Sequence, residues 1–176
     1  MLELYSSGRI TLRRPELADA QAIFDCYASH DAVTKYLSWP THASLKDTHA
    51  FLKFSDAAWT TWDAGPWLIE DRESGRLLGS TGVDFQTGTR VSTGYVLAEE
   101  FWGKGYAIEA LRAVLELLKN SSVWRVEALC HIDHDASARV LEKAGFEPEG
   151  TLRRHTIFPN LAPEPQDVKL FSRIMW

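Results

Sequence analysis

The sequence predicts an α/β chain, a mixed sheet with helices on both faces, and three features predict it. Short runs with apolar residues at every second position are the mark of strands. Longer stretches whose apolar residues recur every three or four positions are the mark of helices. The 176 residues, 45% hydrophobic and 24% charged, suit one domain (1–176, core about 9–175) large enough to bury a proper core.

Residues 9–13 alternate Ile10 and Leu12 with polar neighbours and form a short first strand. Pro15 opens a helix to about Tyr27, with Leu17, Ala20, Ile23, Phe24 and Tyr27 on one side. Residues 30–40 read as a helical turn and a loop, and Ser44 caps an aromatic-rich helix over roughly 45–62. Residues 67–71 and 76–85 are strands joined by a turn at Arg72-Glu73-Ser74-Gly75, and a turn at 87–90 leads to a strand near 93–98. In the next helix Ala107, Ile108, Leu111, Val114, Leu115 and Leu118 make the apolar stripe, with Glu109, Arg112, Glu116 and Lys119 opposite. Asn120-Ser121-Ser122 stops it.

Residues 125–132 alternate strictly, with Val126, Ala128, Cys130 and Ile132 facing one way. A helix over 135–144 is closed by Gly145, and 146–151 and 168–175 are the last strands. The loop between them, 158–166, holds three of the seven prolines and is a surface excursion. The order is β-α-α-β-β-β-α-β-α-β-β.

Composition narrows the function. A net charge of −5 and a pI near 5.7 argue against a nucleic-acid surface and lean faintly toward cationic partners such as amines. Cys26 and Cys130 sit apart in apolar patterns, as free thiols of a reducing compartment do. With neither a signal peptide nor a long apolar span, a cytoplasmic protein without membrane contact, monomer or homodimer, is expected.

The most informative stretch is Phe101-Trp102-Gly103-Lys104-Gly105-Tyr106-Ala107, small residues between a strand and an amphipathic helix. Glycines there let backbone approach a ligand, and the first helical N–H groups present the positive end of the dipole, which suits a phosphate. A tight connection alone is the other reading. The dinucleotide fingerprint lacks its third glycine, and no G-x-x-x-x-G-K-[ST] is present.

Four segments in order make the chain resemble the Gcn5-related N-acetyltransferase (GNAT) superfamily, and within it the RimJ/RimL-like, ribosomal-protein-alanine acetyltransferase branch. They are Ile10-Thr11-Leu12-Arg13 with Asp19-Ala20; Val33-Thr34-Lys35-Tyr36-Leu37-Ser38-Trp39-Pro40 with Phe51-Leu52; Gly94-Tyr95-Val96-Leu97 leading into Trp102-Gly103-Lys104-Gly105-Tyr106-Ala107 and Glu109-Ala110; and the run from Ala136 to Phe146. The resemblance implies a mostly antiparallel sheet with splayed central strands and acetyl-CoA as co-substrate, without a metal.

On the family's pattern Q/R-x-x-G-x-G/A, Gly105 and Ala107 match, while Trp102 stands where Gln or Arg is commonest. Trp102, Gly103, Lys104, Gly105, Tyr106 and Ala107 are the implied pyrophosphate seat, with Trp102 expected to pack beneath it. The family's pantetheine arm pairs with backbone of the preceding strand, here Tyr95, Val96, Leu97 and Ala98. Arg139, Lys143 and Lys104 are candidates for the nucleotide phosphates.

Departures bear on the chemistry. His134 stands where the family usually has a cofactor-contacting Asn, and it can replace that amide as donor and acceptor. The run His131-Ile132-Asp133-His134-Asp135 also suggests a metal, but the ligand set is incomplete and acetyl transfer needs none. Many relatives protonate the departing thiolate with a tyrosine; Leu141 occupies that position, and Ser137 matches the branch's serine near the thioester. The glutamate often found two residues before the Gly-Tyr pair is Ser92, which leaves Asp84 and His131 as alternative bases.

The implied activity is acetyl transfer from acetyl-CoA to a primary amine, a protein N-terminus or a small molecule, by direct attack in a ternary complex. Its acceptor wall is expected from residues 31–62, with Trp39 and Trp59, and from the 158–166 loop. A non-catalytic acyl-CoA-binding protein, favoured by Ser92, His134 and Leu141, is the competing expectation.

Overall fold

A computed structural model describes residues 2–175. Among the described residues eight strands form one sheet in the order β1-β2-β3-β4-β5-β6-β8-β7. They are β1 (Leu4–Ser7), β2 (Ile10–Arg13), β3 (Pro66–Asp71), β4 (Leu77–Thr87), β5 (Arg90–Leu97), β6 (Arg125–His131), β7 (Glu147–Thr156) and β8 (Gln166–Ile174). Every neighbouring pair is antiparallel except β5 and β6, which run parallel.

The helices are α1 (Ala20–Ile23), α2 (Asp31–Thr34), α3 (Leu45–Trp62), α4 (Tyr106–Leu118) and α5 (Asp135–Ala144). They lie on both faces. Arg13 on β2 reaches Asp19 beside α1, whereas its neighbour Leu12 points the other way, is fully buried and lies under α4.

The long helices follow the sequence closely because their end signals are local. The Asp47 carboxylate accepts the Ser44 N–H at 3.0 Å and starts α3, and Gly145, at φ 98°, closes α5. Three elements depart from expectation. β1 is an extra edge strand, turned into β2 by Gly8. The helix expected from Pro15 starts as a 3-10 turn at Leu17–Asp19, becomes α1, and widens into a π-type turn over Phe24–Ala28. There the Phe24 carbonyl accepts both the Ser29 hydroxyl, at 2.7 Å, and the Ser29 N–H, at 3.2 Å. β7 runs on to Thr156, past the expected end at 151, through irregularities between Pro148 and Gly150 and between Leu152 and Thr156, and the proline-rich loop lies where it was expected.

The feature that positions the site is a fork. The β5–β6 ladder holds only Arg90↔Arg125, Val91↔Val126 and Ser92↔Glu127. Beyond Ser92, β5 continues on β4 to Leu97, while β6 continues on β8 to His131. Gly79 keeps β4 close to β5 at the far end, because a Cβ there would overlap the Val96 carbonyl oxygen. Gly79→Ala is therefore expected to lower the unfolding free energy by about 2 kcal/mol or more in chemical denaturation. A change within about 0.5 kcal/mol, the range of ordinary surface substitutions, contradicts this role.

Candidate active site in the opened sheet

The mouth of the fork is the small-residue turn. Gly103 and Gly105 have φ of 72° and 86°, a region that side chains strain to adopt, and nothing lies within 4 Å of where a Gly103 Cβ would be. α4 begins at Tyr106, and the Glu109 N–H is the donor that reaches back to the Gly105 carbonyl, at 3.1 Å. The N–H groups of Tyr106, Ala107 and Ile108 precede that first bond and are directed out of the helix end.

On β5, strand period two decides which backbone groups face the fork. The Ala98 N–H bonds the Leu78 carbonyl at 2.9 Å, and the Val96 carbonyl lies against Gly79. Val96 and Ala98 thus turn their polar backbone toward β4, and Tyr95 and Leu97 turn theirs to the open side. Of the four residues expected to pair with a ligand, only Tyr95 and Leu97 present backbone to the open side. Leu97 is itself half occupied, since its carbonyl accepts the Trp102 indole N–H at 2.8 Å. Trp102 is 47% exposed, so it covers the strand end and does not pack beneath the turn.

Ser137 faces the fork from the first turn of α5, where its N–H bonds the His134 carbonyl at 3.0 Å. The Tyr95 phenol reaches across and donates to the Ser137 hydroxyl at 3.3 Å. Burial raises the Tyr95 pKa, opposed by that bond, so the phenol stays a neutral donor.

The other side of the fork is aromatic. Tyr36, from the segment after α2, stacks on His134 with ring centroids 4.4 Å apart and lies 5.0 Å from His131. Phe158 meets His131 edge-on at 5.1 Å. Asn160 ties the proline-rich loop to the same segment: its amide donates to the carbonyls of Thr34 and Trp39 at 2.8 and 2.9 Å, and its oxygen accepts the Thr41 N–H at 2.9 Å. Tyr36 lies in the 33–40 segment and Asn160 in the proline-rich loop, but the sequence assigned neither a role of its own; the folded contacts supply it.

Burial lowers the His134 pKa, first of all, with repulsion from His131 and Lys35 adding to it and Asp135 opposing. His131 is 5% exposed, and its Nδ1 accepts the Asp133 N–H at 3.1 Å. That bond, with the rings of Tyr36 and Phe158, holds the imidazole in place inside the fork. Asp84 is exposed and stands directly opposite Ser92 in the β4–β5 ladder. The Gln86 amide spans the two, donating to Asp84 Oδ2 at 2.8 Å and Ser92 Oγ at 3.4 Å.

Trp39, expected in the acceptor wall, is half-buried against His42. Trp59 is not there. It is 4% exposed, packs edge-on against Trp67, and donates its indole N–H to the Pro66 carbonyl at 3.0 Å. It is a core residue because its face of α3 points at the sheet. The cations differ too. Lys104 Nζ lies 5.7 Å from the Phe101 ring centroid, and Arg139 is exposed on α5. Lys143 sits in the last turn of α5, where a cation suits the helix dipole. Among the described residues no group of three or more His, Cys, Asp and Glu is placed to hold a metal. No helix among the described residues is long and apolar enough to cross a membrane.

Residues 9–147 match the model of the acetyltransferase (GNAT) domain. The chain belongs to the GNAT acetyltransferase family. It is 30% identical over 175 residues to the uncharacterised N-acetyltransferase YoaA of Bacillus subtilis (strain 168), covering 98% of this chain and 97% of that one. Among solved structures it superposes on RimL, a ribosomal L7/L12 α-N-protein acetyltransferase in complex with coenzyme A, with a TM-score of 0.87 at 21% identity over 98% of each chain. The microcin C7 self-immunity acetyltransferase MccE, in complex with acetyl-CoA and AMP, gives a TM-score of 0.83 at 20% identity, covering 96% of this chain and 94% of that one. At such identities the two structures establish a shared GNAT fold.

Two measurements check this geometry in the GNAT chain. A His134 pKa depressed by folding means that the unfolded chain binds the proton more tightly. Stability is then complete above the unfolded value near 6.5 and falls as pH drops toward the folded one. His134→Asn is expected to lessen the fall in Tm between about pH 7 and pH 5. His42, also depressed by burial, contributes in both proteins, so the difference between the two curves is the readout. For Trp59, Trp59→Phe is expected to lower stability by about 1 kcal/mol through the lost hydrogen bond and volume while leaving the acceptor KM unchanged. A raised KM with unchanged stability would return Trp59 to the acceptor wall.

Proposed function

We propose that this GNAT acetyltransferase transfers the acetyl group of acetyl-CoA to a primary amine, either a protein N-terminal α-amine or a small-molecule amine. The observation that carries the reading is the fork itself. An unpaired stretch of β5 leads from Ser92 to the glycine turn, with the Ser137 hydroxyl facing it midway. The coenzyme A and acetyl-CoA held by RimL and MccE, proteins of the same fold, support this choice of donor. RimL's action on a ribosomal protein N-terminus supports an amine acceptor.

The residues present fit the donor. The open space at Gly103, the left-handed backbone of Gly105 and the outward N–H groups at the start of α4 would hold the pyrophosphate. The Tyr95 backbone and the free Leu97 N–H would hold the pantetheine arm as an added strand does. Acetyl-CoA supplies an activated acetyl group as a thioester. The fork brings the amine and that group together without free diffusion.

Ser137 handles the departing sulfur. Because Tyr95 donates to its oxygen, the Ser137 hydroxyl keeps its own proton free to give to the thiolate, and the N-terminal field of α5 favours charge developing there. On the acceptor side, Asp84 takes the amine's proton, directly or through water. It lies in the ladder beside Ser92, so a carboxylate stands one strand over from the position where relatives often carry glutamate. A chain limited to binding acyl-CoA needs neither group. Tyr36, Trp39, Phe158 and the Asn160 clamp form the acceptor wall.

Release of free thiol from acetyl-CoA across a panel of amines tests the activity; no release with any amine, despite binding, favours the binding-only reading. Ser137→Ala is expected to lower kcat by roughly tenfold to a hundredfold with little change in acetyl-CoA affinity, and unchanged turnover removes Ser137 from the reaction. Asn160→Ala is expected to raise the acceptor KM while leaving the acetyl-CoA KM nearly alone. An equal rise in both places the acceptor on the wrong side.

A further inference from the structure

A surface arginine far from the glycine turn in sequence makes an unusual number of bonds to it. Arg9 follows Gly8 in the turn between β1 and β2. Its Nη2 donates to the Lys104 carbonyl at 2.9 Å, and its Nε donates to Glu109 Oε1 at 2.8 Å. Nη2 also pairs with Glu109 Oε1, and the Arg9 backbone N–H reaches Glu109 Oε2 at 3.3 Å. The guanidinium lies 4.4 Å from the Tyr106 ring centroid. Nη2 is 3.4 Å from where a Gly105 Cβ would stand. Arg9 therefore touches residues 104, 105, 106 and 109, from the turn through the first turn of α4.

These contacts are poorly explained as stabilisation. The Arg9 side chain is half exposed, and ion pairs of that kind contribute little to folding. Their arrangement is well explained by ligand geometry. In a trans peptide the carbonyl of one residue and the N–H of the next point in opposite directions. Holding the Lys104 carbonyl on Arg9 turns the Gly105 N–H to the far side. It also keeps a carbonyl oxygen from pointing at an anion. The second effect is electrostatic: Glu109 puts a carboxylate in the first turn of α4, and Arg9 neutralises it beside the seat of a doubly charged group.

We propose that Arg9 is the positioning residue of the phosphate turn, setting its backbone and cancelling the Glu109 charge so that the turn accepts a pyrophosphate. The inference rests on acetyl-CoA being the donor, as read above. A direct contact with the 3′-phosphate of the nucleotide is the rival role for such an arginine.

Calorimetric titration separates them, using CoA and dephospho-CoA, which keeps the pyrophosphate and lacks the 3′-phosphate. Arg9→Ala is expected to weaken both ligands by the same factor, roughly tenfold, as for a lost charge-assisted hydrogen bond. Arg9→Lys, which keeps the charge but not the fork of donors, is expected to fall between. The melting temperatures of the free variants should stay near that of the wild type. Unchanged affinity in Arg9→Ala, or a loss confined to CoA, overturns the positioning role. Wild-type protein that binds neither ligand overturns the donor assignment, and this inference with it. If Arg9→Ala does not fold, Arg9→Lys decides on the same comparison of the two ligands.

Discussion

The arrangement depends on one constraint: β5 and β6 can pair as parallel strands only as far as Ser92. A strand that leaves its neighbour inside a sheet exposes N–H and C=O groups that must find other partners or water. Each such group left buried and unpaired costs about 1–3 kcal/mol. The structure meets this in two ways. The Trp102 indole takes the Leu97 carbonyl, and the Tyr95 side chain bridges to α5 without closing the gap to water or a ligand. The opening also dictates where α4 starts. Because β5 ends at Leu97 and must give way to a helix on the α4 side, the turn at Gly103 and Gly105 falls at the mouth of the cleft.

How legible this was depends on whether the signal is local. α3, α4 and α5 were legible because periodicity and caps lie within a few residues of one another: Ser44 with Asp47, the leucine stripe, Gly145. β1 was not, because Leu4 is exposed on an edge strand and shows no buried alternation. β7 is largely exposed and bulged, so period two fades along it. The first helix fragmented through a contact of Ser29 with Phe24 that propensity does not encode. In the candidate site, the glycine turn and the start of α5 were legible as local patterns. Which backbone groups of residues 95–98 face the cleft was not, since strand register decides it. Trp59 and Trp102 show the same limit: the residue type announces a contact but not the face on which it is made.

The two halves of the site are built from different materials. The proposed donor half is mostly backbone: helix N–H groups, left-handed glycines and the exposed edge of β5. Backbone groups of this kind need few particular side chains beyond the glycines that set the turn. The proposed acceptor half is made of side chains, Tyr36, Trp39 and Phe158 with the Asn160 clamp, contributed by a segment and a loop remote in sequence. On the proposed reading, substitution there changes the shape offered to an amine without disturbing the donor half. The family's structure is therefore a far better guide to the donor than to the acceptor.

Within the proposed reaction, the burial of Tyr95 acquires a chemical sense. A phenol in water could equally accept a hydrogen bond or, at high pH, lose its proton. Desolvation raises its pKa, so it stays protonated. Its OH is then available to donate toward Ser137, which leaves the serine proton without a claim from that side. Were the direction reversed, Ser137 would spend its proton on Tyr95 and have only lone pairs to show a departing thiolate, which repels them. The neutrality of His134 works alongside this. A cation there would favour the thiolate as an ion and lessen its need for a proton, whereas the neutral ring stacked on Tyr36 leaves the hydroxyl and the α5 dipole as the groups that meet the charge.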